Sequence, residues 1–446
     1  MKITVLNGMA YVDDERIPCN FENGILKLYF DQIKDGFIRT QDERFICIQK
    51  RENYSGIDCL MHTPTPLSCY YRISDAHVSY HNIDWLIDSF NNEARYCEMC
   101  FNFDELNYFM PAWSQVNVDG DNYVFSNKPK EQLSFDMKVG DINTRVQLLH
   151  CFKAKLGVSV TASVCAELRI TFEPCNDYDF FYKLFLIVSD TFSFLFNRRN
   201  IKLDSAGLYE DFVSKGPSAT LSTLYVFNKF KEPTEDNIYI LSQTIHLKEI
   251  ESHFGELMQL IANNYYYEGG TISLAGIHPS FLKRNIFDLK QSMSITSSFE
   301  HHVRRYMPNI YSEQTNEVYS EIKALIENSY ILSAKGRKRK IAKSIVKNLL
   351  PMISLEEKIK KAIKGYSGWN PLLPIIEDKF KNWENLASNA SKWRNELAHE
   401  KREVVITWDV VKSVRLIEHL NYAIILRESG YNDDEIKVML DRILSL

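Results

Sequence analysis

Apolar and polar positions change rhythm along this chain, and the change divides it. Up to about residue 172 the apolar residues fall in short or alternating runs, at 25–30, 45–48, 95–103 and 168–172. Such runs predict strands, because a strand turns successive side chains to opposite faces. Asn23-Gly24 stands directly before the first run, and Asp119-Gly120-Asp121-Asn122 forms a second loop signal. Gly and Asn tolerate positive φ and so mark turns. Past Asn176 the period lengthens. Residues 180–196 predict a buried helix, with Lys183 and Asp190 inside a stretch too short to span a bilayer, which needs about 20 apolar residues. Residues 247–262 space Ile250, Phe254, Leu257 and Ile261 at helical intervals. From about 289 onward helices are predicted over 293–306, 313–330, 340–350, 375–399, 408–429 and 433–444. Thr407 suits an N-cap and Gly430 a left-handed C-terminal residue, while Pro371 and Pro374 break the chain ahead of the stripe Phe380, Trp383, Ala387, Ala390, Leu397. The expected fold is α+β and multidomain: a β-rich N-terminal domain over 1–245, then an all-α bundle over 246–446 with its core at about 286–446.

At 446 residues and 45% hydrophobic content the chain can bury one full core and, at this length, a second. The 53 basic and 58 acidic residues leave a net charge of -5, so a site for a polyanion must be local. Nine cysteines, all between Cys19 and Cys175, are odd in number and scattered. That is a poor disulfide framework and points to a reducing, cytoplasmic setting. The first residues run to Asp13 and Asp14 without a signal-peptide core, so neither export nor a membrane span is expected.

The sharpest local pattern is Trp393-Arg394-Asn395-Glu396-Leu397-Ala398-His399, at the end of a predicted helix. The loose spacing of Arg and a His five residues later also occurs at Arg72 and His77 and at Arg145 and His150, both in the β-rich part. Arg-Asn pairs recur at Arg199-Asn200 and Arg284-Asn285. Only the 393–399 stretch combines pair, histidine and helix. Asn395 and His399 share one face of that helix and Arg394 points elsewhere, so a symmetric partner could complete a site. These side chains suit metal-free RNA cleavage: imidazole takes the proton from a 2′-hydroxyl and returns one to the leaving oxygen. Arginine stabilises charge growing on the phosphate, and asparagine orients either group. DNA lacks the nucleophile. The plainer alternative is a surface ion pair at Arg394 and a histidine drawn to a helix end by the dipole.

Between residues 335 and 364 stand eleven Lys or Arg and only Glu356 and Glu357. This tract is a candidate RNA-tracking face, with Lys335, Arg337, Lys338, Arg339, Lys340 and Lys343 as its densest part; the alternative is a solvated helix following a loop over 335–340. Cys97-Glu98-Met99-Cys100 with His77 and His81 offers four zinc ligands, though one CxxC on a strand more often means buried thiols. His301-His302 beside Arg304-Arg305 reads as a satisfied helix surface or as part of the basic groove. No Walker or dinucleotide glycine loop is present, Gly269-Gly270 lacking the partners, and no serine-centred elbow can be picked out.

The 393–399 stretch, with the long apolar helix ending Leu426-Arg427-Glu428-Ser429-Gly430 and a short last helix, resembles the C-terminal HEPN domain of ApeA-like bacterial anti-phage proteins. The β-rich front half looks like their N-terminal domain. The resemblance implies a helical bundle that dimerises into a metal-independent endoribonuclease without cofactor, with Arg394 and His399 catalytic and Asn395 supporting. It also implies abortive infection by RNA cleavage, tRNA being one candidate substrate, with the N-terminal domain restraining the nuclease or sensing a phage-derived trigger. The rival expectation is a noncatalytic RNA-binding or scaffold protein that uses the basic tract.

Overall fold

The computed structural model describes residues 5–12, 15–29, 45–50, 59–63, 78–90, 93–111, 117–119, 122–124, 129–155, 161–210, 222–227, 245–268, 270–284, 286–307, 310, 313–348, 353–398 and 406–444. The chain forms two compact units, 1–268 with 279–281, and 269–278 with 282–446.

In the first unit the described strands build a 13-stranded antiparallel sheet. From one edge to the other it runs Lys130–Val139, Ile142–Lys155, Thr161–Cys175, Tyr96–Phe101, Ser205–Glu210, Ser222–Val226, Trp85–Asp88, Cys59–His62, Phe45–Lys50, Val5–Val12, Glu15–Glu22, Ile25–Tyr29 and Val78–Asn82. Asn23 and Gly24 link two of these strands with φ of 52° and 78°. A two-residue loop of that hand matches the twist of the strands it joins. Alternation buries one residue in two, so that Phe21, Leu26, Leu28, Ile46, Ile48 and Met61 share a core with Leu6 and Leu86. Asn117–Asp119 and Asn122–Val124 pair separately; Gly120 and Asp121 of that predicted loop lie outside the described residues.

Helix α1 (Asp104–Phe109) and helix α2 (Tyr178–Phe196) belong to this unit. Asp177 caps α2 by accepting from the Phe180 amide at 3.0 Å, and Asn197 ends it in the left-handed region. The 180–196 stretch is the largely buried helix expected, with Phe181, Phe185 and Phe192 against Tyr96, Phe101, Phe103 and Phe109. The single helix expected over 247–262 is two pieces, Leu247–Ile250 and α3 (Phe254–Ala262). Glu251, Ser252 and His253 interrupt it, since Ser competes for backbone hydrogen bonds, yet Ile250, Phe254, Leu257 and Ile261 all stay buried.

The second unit is helical: α4 (Leu289–Tyr306), α5 (Glu313–Ile326), α6 (Arg337–Asn348), α7 (Leu355–Lys364), α8 (Trp383–Ala398), α9 (Trp408–Glu428) and α10 (Asp433–Ile443). Helix α9 is the axis, buried on nearly every side from Ser413 to Leu426, with α4 and α8 packed along it. Thr407 caps it by accepting from the Val410 amide at 3.4 Å, and Gly430 sits beyond its end at φ 103°. The helix expected over 375–399 breaks after Leu373–Ile376 and resumes at Trp383. Ile376 at the end of the first piece and Phe380 within the break are both buried, and the Phe380 ring meets His419 edge-on at 4.9 Å.

Two buried histidines pin this bundle. His302 donates from Nδ1 to Asn421 Oδ1 at 2.8 Å and accepts at Nε2 from the Ser273 amide at 2.9 Å. His419 donates from Nδ1 to the Arg415 carbonyl at 2.8 Å. Burial depresses the pKa of each to about 4. The expectation of a surface role for His302 is therefore corrected: the ring is fully buried, because the helix turns it toward α9 and Asn421 supplies its partner.

Candidate functional site

The α8 stripe buries Trp383, Ala387, Ala390 and Trp393, and Trp393 meets the Phe287 ring at 6.2 Å. That anchoring carries Arg394 to the helix flank, where Nη2 donates to Glu300 Oε2 at 3.1 Å. Lys358 Nζ donates to the other oxygen of Glu300 at 2.7 Å. One carboxylate on α4 thus holds an arginine from α8 and a lysine from α7. Burial works to raise the Glu300 pKa, but the two cations and their hydrogen bonds outweigh it and hold the group below its ordinary value. The Arg394 side chain remains 36% exposed, so a phosphate can still reach it. Asn395 is exposed on the next position, and Glu396 and Leu397 are half-buried. His399 lies outside the described residues.

An ion pair at Arg394 is what the plainer alternative expected; its partner Glu300 stands far upstream in an amphipathic helix, where nothing in the local pattern marks it. Replacing Glu300 with Gln leaves two cations without their shared anion. The expected loss is about 1–3 kcal/mol, read from denaturant midpoints.

The basic tract divides. Lys358 is committed to Glu300, Lys360 pairs with Glu356 at 2.6 Å, Lys361 with Glu357 at 3.5 Å, and Lys364 with Glu384 at 2.6 Å over the Trp383 ring. Lys335, Arg337, Lys338, Arg339, Lys340 and Lys343 are exposed and have no ion-pair partner among the described residues. Residues 337–340 open α6 instead of extending a loop: Gly336 at φ 66° turns the chain, and the first helical hydrogen bond runs from the Lys340 amide to the Gly336 carbonyl at 3.2 Å. Of α6 only Ala342 is buried among the described side chains, which leaves its cations in solvent together with Ile341 and Ile345.

The other motifs have structural occupations. Cys97 donates to the Tyr209 carbonyl at 3.8 Å and Cys100 to Glu98 at 3.2 Å. Burial first, then Glu98 and Glu167, push the Cys100 thiol well up from its usual pKa, the reverse of what a thiolate ligand needs. His77 and the side chain of His81 lie outside the described residues, among which no three metal-ligating side chains cluster. His150 of the looser Arg-to-His spacing is buried, its Nε2 3.0 Å from the Met110 carbonyl oxygen. Arg72 lies outside the described residues, and Asn200 and Arg284 of the other Arg-Asn pairs are buried, as is Arg198 before them. His301 is half-buried on α4.

The helical unit also holds a cleft of about 150 Å³ between the starts of α4 and α9. Its floor is a hydrogen-bonded chain in which His278 Nε2 meets Glu418 Oε1 at 2.9 Å and Arg415 Nη1 donates to Glu418 Oε2 at 2.7 Å. Among the described residues, no helix is long and apolar enough to cross a membrane.

No curated protein and no solved structure matches the chain. A family model does, over residues 293–435, a span that runs from within α4 into the start of α10 and includes Glu300, Lys358, Arg394 and His399. That model is described as Apea-like HEPN, and the helical part of this chain is similar to it over those residues.

Proposed function

We propose that the protein is a metal-independent endoribonuclease of a bacterial anti-phage abortive-infection system. The observation that carries this reading is the family match across the 394–399 motif, together with an Arg394 that is anchored by Glu300 yet open to solvent. Arg394 stabilises the charge growing on the scissile phosphate. His399 takes the 2′-hydroxyl proton and protonates the leaving 5′ oxygen, in turn as base and acid. Asn395 orients the imidazole or the phosphate. The exposed cations of α6 hold the RNA backbone. A second copy completes the site through the HEPN domain, and the β-rich unit, the regulatory or sensor domain of 1–245, responds to a phage-derived trigger. A monomer at full activity in sedimentation experiments would remove the composite site.

The deciding test incubates purified protein with total RNA, tRNA and a DNA control in the presence of chelator, for wild type, Arg394→Ala and His399→Ala. RNA cutting that survives chelator and needs both residues supports the enzyme. Equal RNA binding without cutting by any form, with an unchanged effect on growth during infection, supports the second reading, a noncatalytic RNA-binding or scaffold protein acting through the exposed cations of α6.

Both readings share one quantitative expectation. Converting Lys338, Arg339 and Lys343 to Ala should flatten the dependence of log affinity on log salt by about two to three phosphate contacts, at about 0.7 each for single strands. Filter binding between 50 and 200 mM salt measures it, and an unaltered slope would exclude this helix from the RNA path.

A further inference from the structure

We propose that the hairpin of α5 and α6 carries a self-association face, on which the same hairpin of a second copy docks to complete an antiparallel four-helix bundle. This interface does not involve the 394–399 motif and does not depend on the ribonuclease reading. A short turn through Gly336 folds α6 back along α5. Ala342 is buried and Tyr319, Lys323, Ile326 and Val346 are half-buried, which marks the line where the two helices meet. At 3.6 residues per turn, the position just before an inward-facing residue lies about a quarter-turn round. In two antiparallel helices those quarter-turns lead to the same side of the hairpin. On α5 that side carries Val318, Ile322 and Leu325, and on α6 Ile341 and Ile345, every one exposed. A single exposed apolar residue needs no explanation, but a patch shared by two helices, with Leu325 at 65% and Val318 at 52%, marks an interaction surface.

The charges beside the patch select its occupant. By the same helical geometry the outer flank of α5 carries Glu317 and Glu321 and that of α6 carries Arg337 and Lys340, all exposed. A two-fold axis parallel to the helices sets α5 of each copy over α6 of the other, running in opposite directions. The acidic flank of one copy then lines up with the basic flank of its partner on both sides of the patch. A two-fold axis across the helices sets acid on acid and base on base. The surface is thus complementary to itself in one orientation, which is what an isologous interface requires, and flanking charges fix orientation in paired helices generally. An RNA strand on this side meets Glu317 and Glu321 and leaves the aliphatic patch in water. Arg339 and Lys343 lie on the opposite side of the hairpin, so both copies keep cations open to RNA.

Sedimentation velocity of the full chain, over about 1–100 μM protein, tests the proposal with wild type and three variants. The first joins Leu325→Glu to Ile341→Glu, the second joins Glu317→Lys to Glu321→Lys, and the third adds Arg337→Glu and Lys340→Glu to the second. Every substituted position is exposed, so the variants keep the fold, as melting curves will verify. Wild type should contain twice as many subunits as the first variant, whether or not the motif face adds a pairing of its own. The second variant should associate about ten- to hundredfold more weakly, because like charges now meet across the axis, and the third should recover. Halving of mass in a protein that cuts no RNA upholds this face and counts only against the ribonuclease reading. Equal mass for wild type and the first variant overturns the face, even if RNA is cut. A third variant that recovers nothing overturns it too, since the flanks then do not pair with those of a second copy. So does a wild type that keeps the mass of the first variant and sediments instead with phosphatidylserine vesicles, which gives the patch to a lipid surface.

Discussion

Cleavage of RNA should fall about 10²–10⁴-fold when His399 is replaced by Ala, and about 10²–10³-fold for Arg394→Ala. The losses have different origins. Without the imidazole no group at that position takes the 2′-hydroxyl proton, so kcat falls at every pH and the neutral-pH optimum disappears. Without the guanidinium the proton transfer survives, but charge on the attacked phosphate is left to solvent. Arg394→Lys keeps the charge and forfeits the two-pronged geometry, so it should recover only part of the rate. RNA affinity should hold in all three, since the exposed cations of α6 are untouched. Single-turnover cleavage set beside filter binding separates the terms. Equal rates for wild type and His399→Ala would end the catalytic assignment.

Acid should unfold the helical unit earlier than its carboxylates alone require. Above pH about 6.5 the rings of His302 and His419 are neutral in folded and unfolded chains alike and stability does not depend on them. As the pH falls the unfolded chain takes up protons first, because both folded rings resist protonation down to about 4. Stability is therefore lost between pH about 6.5 and about 4, by about 3 kcal/mol for each ring. Melting temperature should drop by about 10 °C between pH 7.5 and 4.5. His419→Leu removes one of the two groups and should flatten the profile by roughly half. Circular dichroism at 222 nm, which follows this helix-rich part, reads the change, and a flat wild-type profile over that range would falsify the account.

What the residue pattern disclosed, and what it did not, follows from how local each signal is. Asn23-Gly24, the 180–196 helix, Thr407 and Gly430 all act through neighbours within a turn or two, and each is where its pattern implied. The break before Trp383 was invisible because Phe380 and Trp383 obey helical spacing. The strands Ser205–Glu210 and Ser222–Val226 are short and follow a long helix, so their membership of the sheet depends on partners more than a hundred residues earlier. Helix α7 was hidden within a charge run, although Ile359 and Ile363 repeat on its buried face. At the site the Arg-Asn pair stood out, whereas Glu300 and His278 owe their meaning to contacts 94 and 140 residues away in sequence.

The strand Ser222–Val226 lies between Ser205–Glu210 and Trp85–Asp88, so among the described strands it is the last made and the one that joins the two halves of the sheet. During synthesis neither half can be bridged until this strand has emerged. Once it has, every described strand of the sheet exists, roughly 10–30 s before Arg394 is added at about 5–20 residues per second. The candidate regulatory unit is therefore complete on the nascent chain before the candidate catalytic motif is even polymerised. A cell making this protein never has to hold a finished 394–399 motif on a chain whose sheet has yet to be made.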